Sequence, residues 1–177
     1  DLRCLTALFE SRHSVRHFDG SKPVSKDVLN HAAELAMATP SVCNRQPWRV
    51  RFALNSETKQ VLRDHQNGNA GFGEIPVIAL ITVDTRLFSG PGERNQAWID
   101  GGLYAMSLNW ALHGLGLASC MLNMSVNNVV TDSLRSALDI PDHELIIMQM
   151  AIGVADEKHR VARSPRRANS EVVSYFE

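Results

Sequence analysis

The chain lacks most of the features that announce a particular chemistry. Its three cysteines, Cys4, Cys43 and Cys120, are odd in number and far apart. That excludes a disulfide framework or a C-x-x-C zinc site and suits a reducing, cytoplasmic setting. Seven histidines are scattered without ligand spacing, so no metal site is expected. There is no H-E-x-x-H, no G-x-S-x-G and no Walker loop, which removes the commonest hydrolase and nucleotide-hydrolysis signatures. No apolar run reaches the ~18 residues that would suggest a membrane span. The net charge is −1, so no global field points to nucleic acid or an anionic membrane, and any basic site must be local. The opening Asp1-Leu2-Arg3-Cys4 does not read as a signal peptide. A start on aspartate suggests that residues precede it.

What is present is ordinary globular material. A length of 177 residues with 44% hydrophobic and 21% charged content is enough for one domain, 1–177, with a real core. Apolar spacing predicts a short helix over 2–11, with Leu5, Leu8 and Phe9 on one face. A second helix opens at Ser25 as N-cap, with Asp27 in its first turn, and Pro40 stops it. Residues 48–54 alternate as a strand, and 56–67 read as an amphipathic surface helix. Residues 76–83 are β-branched and almost wholly apolar, as in a buried strand. A loop over 84–95 leads to the longest helical stretch, 96–112. This stretch is apolar around most of its circumference, which implies burial in a core or a subunit interface; Trp98, Met106 and Trp110 are the expected interface residues. Strands follow at 117–122 and 145–153, with a helix over 132–138 capped by Thr131 between them. Residues 172–176 read as a terminal strand. Helices and strands mix without strict βαβ alternation, which favours α+β over a doubly wound dinucleotide fold.

Two segments carry directional chemistry. Arg12-His13-Ser14-Val15-Arg16 puts two guanidinium groups and a hydroxyl within five residues, a pattern that suits a phosphate. Read alone, it also fits a solvated helix C-terminus. Pro40-Ser41-Val42-Cys43-Asn44-Arg45-Gln46-Pro47-Trp48 is a compact loop. Its prolines fix the backbone, and Ser41, Asn44 and Gln46 offer donors and acceptors. Read alone, Asn44 and Gln46 are turn residues and Trp48 is a core residue. Cys43 has no base beside it and reads as a passenger. The basic stretch 158–167 contains no acid and reads first as a solvated tail; a nucleic-acid patch has little support in a neutral chain.

Together these segments resemble the nitroreductase family of flavoenzymes. There an R-x-S-x-R segment holds the FMN phosphate and a P-S-x-x-N-x-Q-P-W loop lines the flavin. The closing Ser164-Pro165-Arg166-Arg167 with Glu171-Val172-Val173 is similar to the family's P-R-x-x-x-x-E-V-V pattern. Gly114-Leu115-Gly116-Leu117-Ala118-Ser119-Cys120 is similar to its G-L-G-x-x-C segment. The resemblance implies a three-layer α+β sandwich with a mainly antiparallel sheet between helices. It also implies an intertwined homodimer with FMN at the subunit interface. The implied activity is ping-pong transfer of a hydride from NAD(P)H through flavin to a nitroaromatic, quinone or similar acceptor. The implied cofactor residues are Arg12, His13, Ser14, Arg16, Pro40, Ser41, Val42, Asn44, Gln46, Met121, Leu122, Asn123, Arg163 and Arg166. No side chain is expected to act as a catalytic acid or base. Two departures stand out. The 84–95 loop is short where larger members carry a helical cover, and 66–73 has no lysine for the flavin's pyrimidine edge, where Asn67 is the candidate substitute. A specialised relative (a dehalogenase, a flavin-fragmenting enzyme or an azoline oxidase) and a flavin-binding protein without efficient turnover are the alternatives.

Overall fold

The computed structural model describes residues 2–176. In chain order the elements are α1 (Leu2–Ser11), α2 (Lys26–Ala36), β1 (Trp48–Ala53), α3 (Ser56–Asp64), β2 (Val77–Asp84), α4 (Gln96–Gly114), β3 (Ala118–Asn123), α5 (Asn128–Leu138) and β4 (Glu144–Gly153). The four strands form one sheet in the order β1-β2-β4-β3, antiparallel at every pairing.

Alternation along β2 makes the layers. Val77, Ala79, Ile81 and Val83 face a core shared with Leu29 and Ala36 of α2 and Tyr104, Leu108 and Leu112 of α4. Ile78 and Leu80 face a second core with Leu62 of α3 and Leu134 of α5. Successive strand residues point to opposite faces, so a strand apolar throughout must be covered on both sides. The result is an α+β sandwich of three layers, with α2 and α4 on one face and α3 and α5 on the other. Gly101 lets α4 sit close to the sheet: a Cβ there would stand 2.6 Å from Ile147 Cγ1.

Helix ends follow their side-chain caps. Ser25 accepts the Val28 N–H at 3.3 Å, as its sequence position predicts. Three boundaries differ from the sequence reading. Helix α5 begins at Asn128, because Asn127 Oδ1 accepts the Val130 N–H at 3.0 Å; Thr131 turns its hydroxyl back to Asn127 O. Helix α3 stops at Asp64 and not at 67, because buried Asn69 captures the Arg63 and Gln66 carbonyls. Residues 172–176 pair with no strand. After a short turn at Asn169–Glu171, Val172, Tyr175 and Phe176 are 70%, 83% and 106% exposed. Their strand-like composition finds no sheet edge among the described residues. No helix among the described residues is long and apolar enough to cross a membrane.

Candidate cofactor-binding site

The basic segment 12–16 is laid along the outer side of β3. Ser14 bridges Ser119 in parallel, and the Val15 N–H donates to Ser119 O at 3.0 Å. Val15 is buried, so its polar neighbours are turned toward the surface. Arg12 lies over the Trp110 ring, 5.7 Å from its centroid, and Phe9 of α1 packs on the same ring at 4.4 Å. The tail returns to this place. Arg12, His13, Ser14, Arg16, Arg163 and Arg166 line one cleft of about 570 Å³. Among the described residues none of these four arginines has an ion-pair partner, and Glu10 is the only acid in the lining. Unpaired guanidinium groups repel one another, and a phosphate dianion with three acceptor oxygens is the ligand class that relieves this. Two groups nearby are chemically quiet. Burial pushes the Cys120 thiol up, against a smaller opposing pull from Arg16 and Ser14, so it stays protonated and inert. Burial, Arg12 and His13 hold His113 below its usual range, and its Nε2 lies 2.8 Å from Ser11 Oγ.

The far end of β3 gathers a second set. Asn123 is exposed at the strand end, Met121 is half-buried, and Leu122 is buried in the α3–α5 core. Only the backbone of Leu122 is therefore free to meet a ligand. Asn67 is exposed beside Gln66, whose Nε2 donates to Asn123 O at 3.0 Å. That bond ties the 66–69 turn to the end of β3. Ser119 and Asn123 are four strand steps apart, roughly 13 Å, so the two sets mark the ends of an elongated surface.

The loop 40–47 stands elsewhere. Cys43, Asn44 and Gln46 all have left-handed φ angles of 49°, 54° and 48°. Ser41 Oγ accepts the Gln46 N–H at 2.9 Å, and Gln46 Nε2 donates to Asn44 Oδ1 at 3.1 Å. The Val42 N–H points at the buried Asp100 carboxylate at 3.3 and 3.4 Å. Pro40 is exposed. Trp48 is a core residue, 4% exposed and stacked on Tyr104 at 5.0 Å. Asp100 and Trp110 are ten residues apart on α4, roughly 15 Å along its axis. The structure thus unites 12–16 with Arg163 and Arg166, and Asn67 with Asn123, but sets 40–47 at the opposite end of α4 from the basic cleft. Sequence reasoning passed over Gln66, Glu93 and Asp100 as site-building residues, because their partners lie 48 to 58 residues away. No cluster of metal-ligating side chains occurs among the described residues.

The model of the nitroreductase family matches residues 9–68 and 51–154. The chain belongs to the nitroreductase family. Among similar proteins, an NADH dehydrogenase of Thermus thermophilus is 27% identical over 83% of this chain and 84% of its own. A 5,6-dimethylbenzimidazole synthase of Rhodospirillum rubrum is 26% identical over 92% and 87%. The solved structure of an FMN-dependent nitroreductase from Clostridium difficile superposes with a TM-score of 0.81 at 20% identity, covering 97% of this chain and 99% of that one. The nitroreductase-family match ends before the tail. Arg163 and Arg166 therefore join the cleft on geometry and on the P-R pattern, not on the matched segment.

Proposed function

We propose that this nitroreductase-family protein is an FMN-dependent oxidoreductase. It moves reducing equivalents from NAD(P)H to a nitroaromatic, quinone or similar small acceptor in two alternating half-reactions. The observation that carries the reading is the cleft with four unpaired guanidinium groups and the Ser14 hydroxyl. That donor set fits a phosphate monoester. Arg12, Ser14, Arg163 and Arg166 would hold the phosphate, with His13 at the rim. Arg16, one step along β3, would supply positive charge toward the ring. Asn67, Asn123 and the backbone of 121–123 would take the polar ring edge. FMN, when bound, supplies the hydride chemistry; the protein binds, orients and leaves one face open. Positive charge and N–H donors near the ring favour an anionic reduced cofactor. No carboxylic acid or histidine is assigned a proton-transfer role. Three free thiols suit a reducing, cytoplasmic setting.

We further infer a homodimer with the cofactor between subunits. Ser41, Val42, Asn44 and Gln46 lie at the wrong end of α4 to reach a phosphate held at Arg12 in the same chain. A second copy brings them in. The outer face of α4 supports this, with Trp98, Ile99 and Leu103 50%, 52% and 43% exposed. So do Phe9 and the apolar tail, both exposed. Patches of this kind mark interaction surfaces. Trp110 is less available than the sequence reading expects, because Phe9 and Arg12 already cover it.

A second reading has one specific support. The Rhodospirillum rubrum relative is named 5,6-dimethylbenzimidazole synthase, a synthase and not a reductase, and the alternative it favours for this chain is the specialised, flavin-fragmenting relative. One experiment separates the readings. Purified protein is supplied with FMN, and its absorption is followed under anaerobic addition of NADH, then NADPH, then air. Bleaching by a reduced nicotinamide and full recovery in air support the oxidoreductase. Irreversible loss of the flavin spectrum in air favours the second reading. Protein that takes up no FMN overturns both.

A further inference from the structure

The motif loop is strained, and what holds it lies outside the motif. Left-handed φ is uncommon for residues with a Cβ, and such residues persist where the surrounding structure holds them there. Three of the four residues 43–46 are in that region. The exception is Arg45, at αR angles. Its side chain leaves the loop: Nη1 donates to both Glu93 carboxylate oxygens, at 2.9 and 2.7 Å. Glu93 is itself fixed, because Oε2 also accepts the Ser89 N–H at 2.7 Å and the Ser89 hydroxyl at 3.0 Å. On the other side of the loop the Val42 N–H faces Asp100, which is 0% exposed and further held by Gln96 Nε2 at 2.8 Å. The loop is thus gripped at two residues, Val42 just before its left-handed stretch and Arg45 within it. Both grips come from the 84–95 connection and the first turns of α4.

We propose that Arg45, Glu93 and Asp100 are positioning residues of the candidate site. They form an acidic clasp that keeps Asn44 and Gln46 in the left-handed conformation in which their amide groups are presented outward. The inference rests on the reading of Asn44 and Gln46 as ring contacts, and it adds a physical cause for their geometry. It also assigns a role to the short 84–95 connection: with no helical cover, it serves as an anchor for the loop beside it. Arg45 itself touches no ligand in this account.

The test uses the full chain, with and without FMN. In FMN-free protein, hydrogen exchange is read at the Asn44, Arg45 and Gln46 amides, which bond to Ser41 O, Val42 O and Ser41 Oγ. Arg45→Ala and Glu93→Ala should each speed their exchange by roughly tenfold or more, while strands β2 and β4 stay protected. The double variant should be no worse than either single, because one pair is broken once. Arg45→Lys should recover part of the protection. In the same variants the Kd for FMN should rise roughly fivefold to tenfold with the thermal midpoint nearly unchanged. Asp100→Asn should give a smaller effect of the same kind. Unchanged exchange at 44–46 overturns the clasp. Faster exchange with an unchanged FMN Kd overturns its positioning role. Wild-type protein that binds no FMN sinks the functional reading instead, and the FMN-free exchange still decides whether the clasp exists.

Discussion

The basic cleft beside β3 and the loop at the start of α4 are built on opposite principles. In the cleft, four arginines face one space, and among the described residues none forms an ion pair, although Glu10 shares the lining. In the loop, nearly every polar group has a partner, and the single arginine is pinned by an acid. Under the proposed function the difference matches two tasks. A site for a dianion must keep its charges unspent until the ligand arrives, which leaves it loosely held and exposed. A site that grades the polar edge of a neutral ring needs fixed directions, so its backbone is locked first and its amides are left at the tip. The cost of each design also differs. The cleft carries self-repulsion, whereas the loop carries backbone strain.

Separating the two regions from each other should have the greatest consequence. Leu103→Asp puts a charge on the exposed α4 stripe. If the cofactor spans two copies, light scattering should show monomer and FMN retention should be almost lost together. A monomer that keeps FMN would mean that one chain completes the site. Next in size is the cleft. Arg12→Ala and Arg166→Ala should each lower FMN affinity roughly tenfold or more, from loss of a charge-assisted contact of about 1.5–3 kcal/mol. Their combination should be less than additive if both meet one phosphate, and titration at several salt concentrations should show shallower dependence in each variant. Full affinity in Arg12→Ala would remove the clamp assignment.

The loop should respond more gently and in another observable. Asn44→Ala and Gln46→Ala should leave the FMN-free thermal midpoint almost unchanged. They should shift the reduction potential of bound flavin or weaken its binding modestly. A fall in FMN-free stability with flavin properties intact would make the loop structural only.

The smallest effect is a pH dependence that only the loop should show. Arg45, then the Ser89 N–H, hold the Glu93 carboxyl down at about 2 from its usual 4.5. A depressed folded-state value stabilises above the unfolded value and is lost as pH falls through the folded one. Protection at residues 44–46, taken relative to the intrinsic exchange rate at each pH, should therefore be flat above about pH 4.5 and fall between there and pH 2. Glu93→Gln should remove that step. Asp84 gives a control at the start of the same connection but outside the Glu93 pair: Arg86 chiefly holds it at about 2 from 3.8, so Asp84→Asn should alter acid stability while the Glu93-dependent step at 44–46 remains. Protection at 44–46 that stays constant across this window would show that the ion pair does not govern the loop.

Local signals in the sequence decided a good deal. The helical spacing of α1 and α4, the unbroken apolar run of β2, the Ser25 cap and the α+β mixture all follow from periodicity and capping, which act over a few residues. So do the two motif segments and their donor types. Where the sequence reading slipped, a side chain competed locally: Asn127 took the cap ahead of Thr131, and Asn69 ended α3 early. The terminal segment 172–176 has strand composition and no strand, since composition cannot supply an edge to pair with. Only the tertiary structure decided which residues meet. The order β1-β2-β4-β3 lays Arg12–Arg16 on β3 beside the returning arginines, and the length of α4 holds residues 40–47 away from them. The Arg45–Glu93 and Val42–Asp100 contacts span 48 and 58 residues. Nothing in a linear spacing records such contacts, because they exist only once two faces of one sheet have been buried.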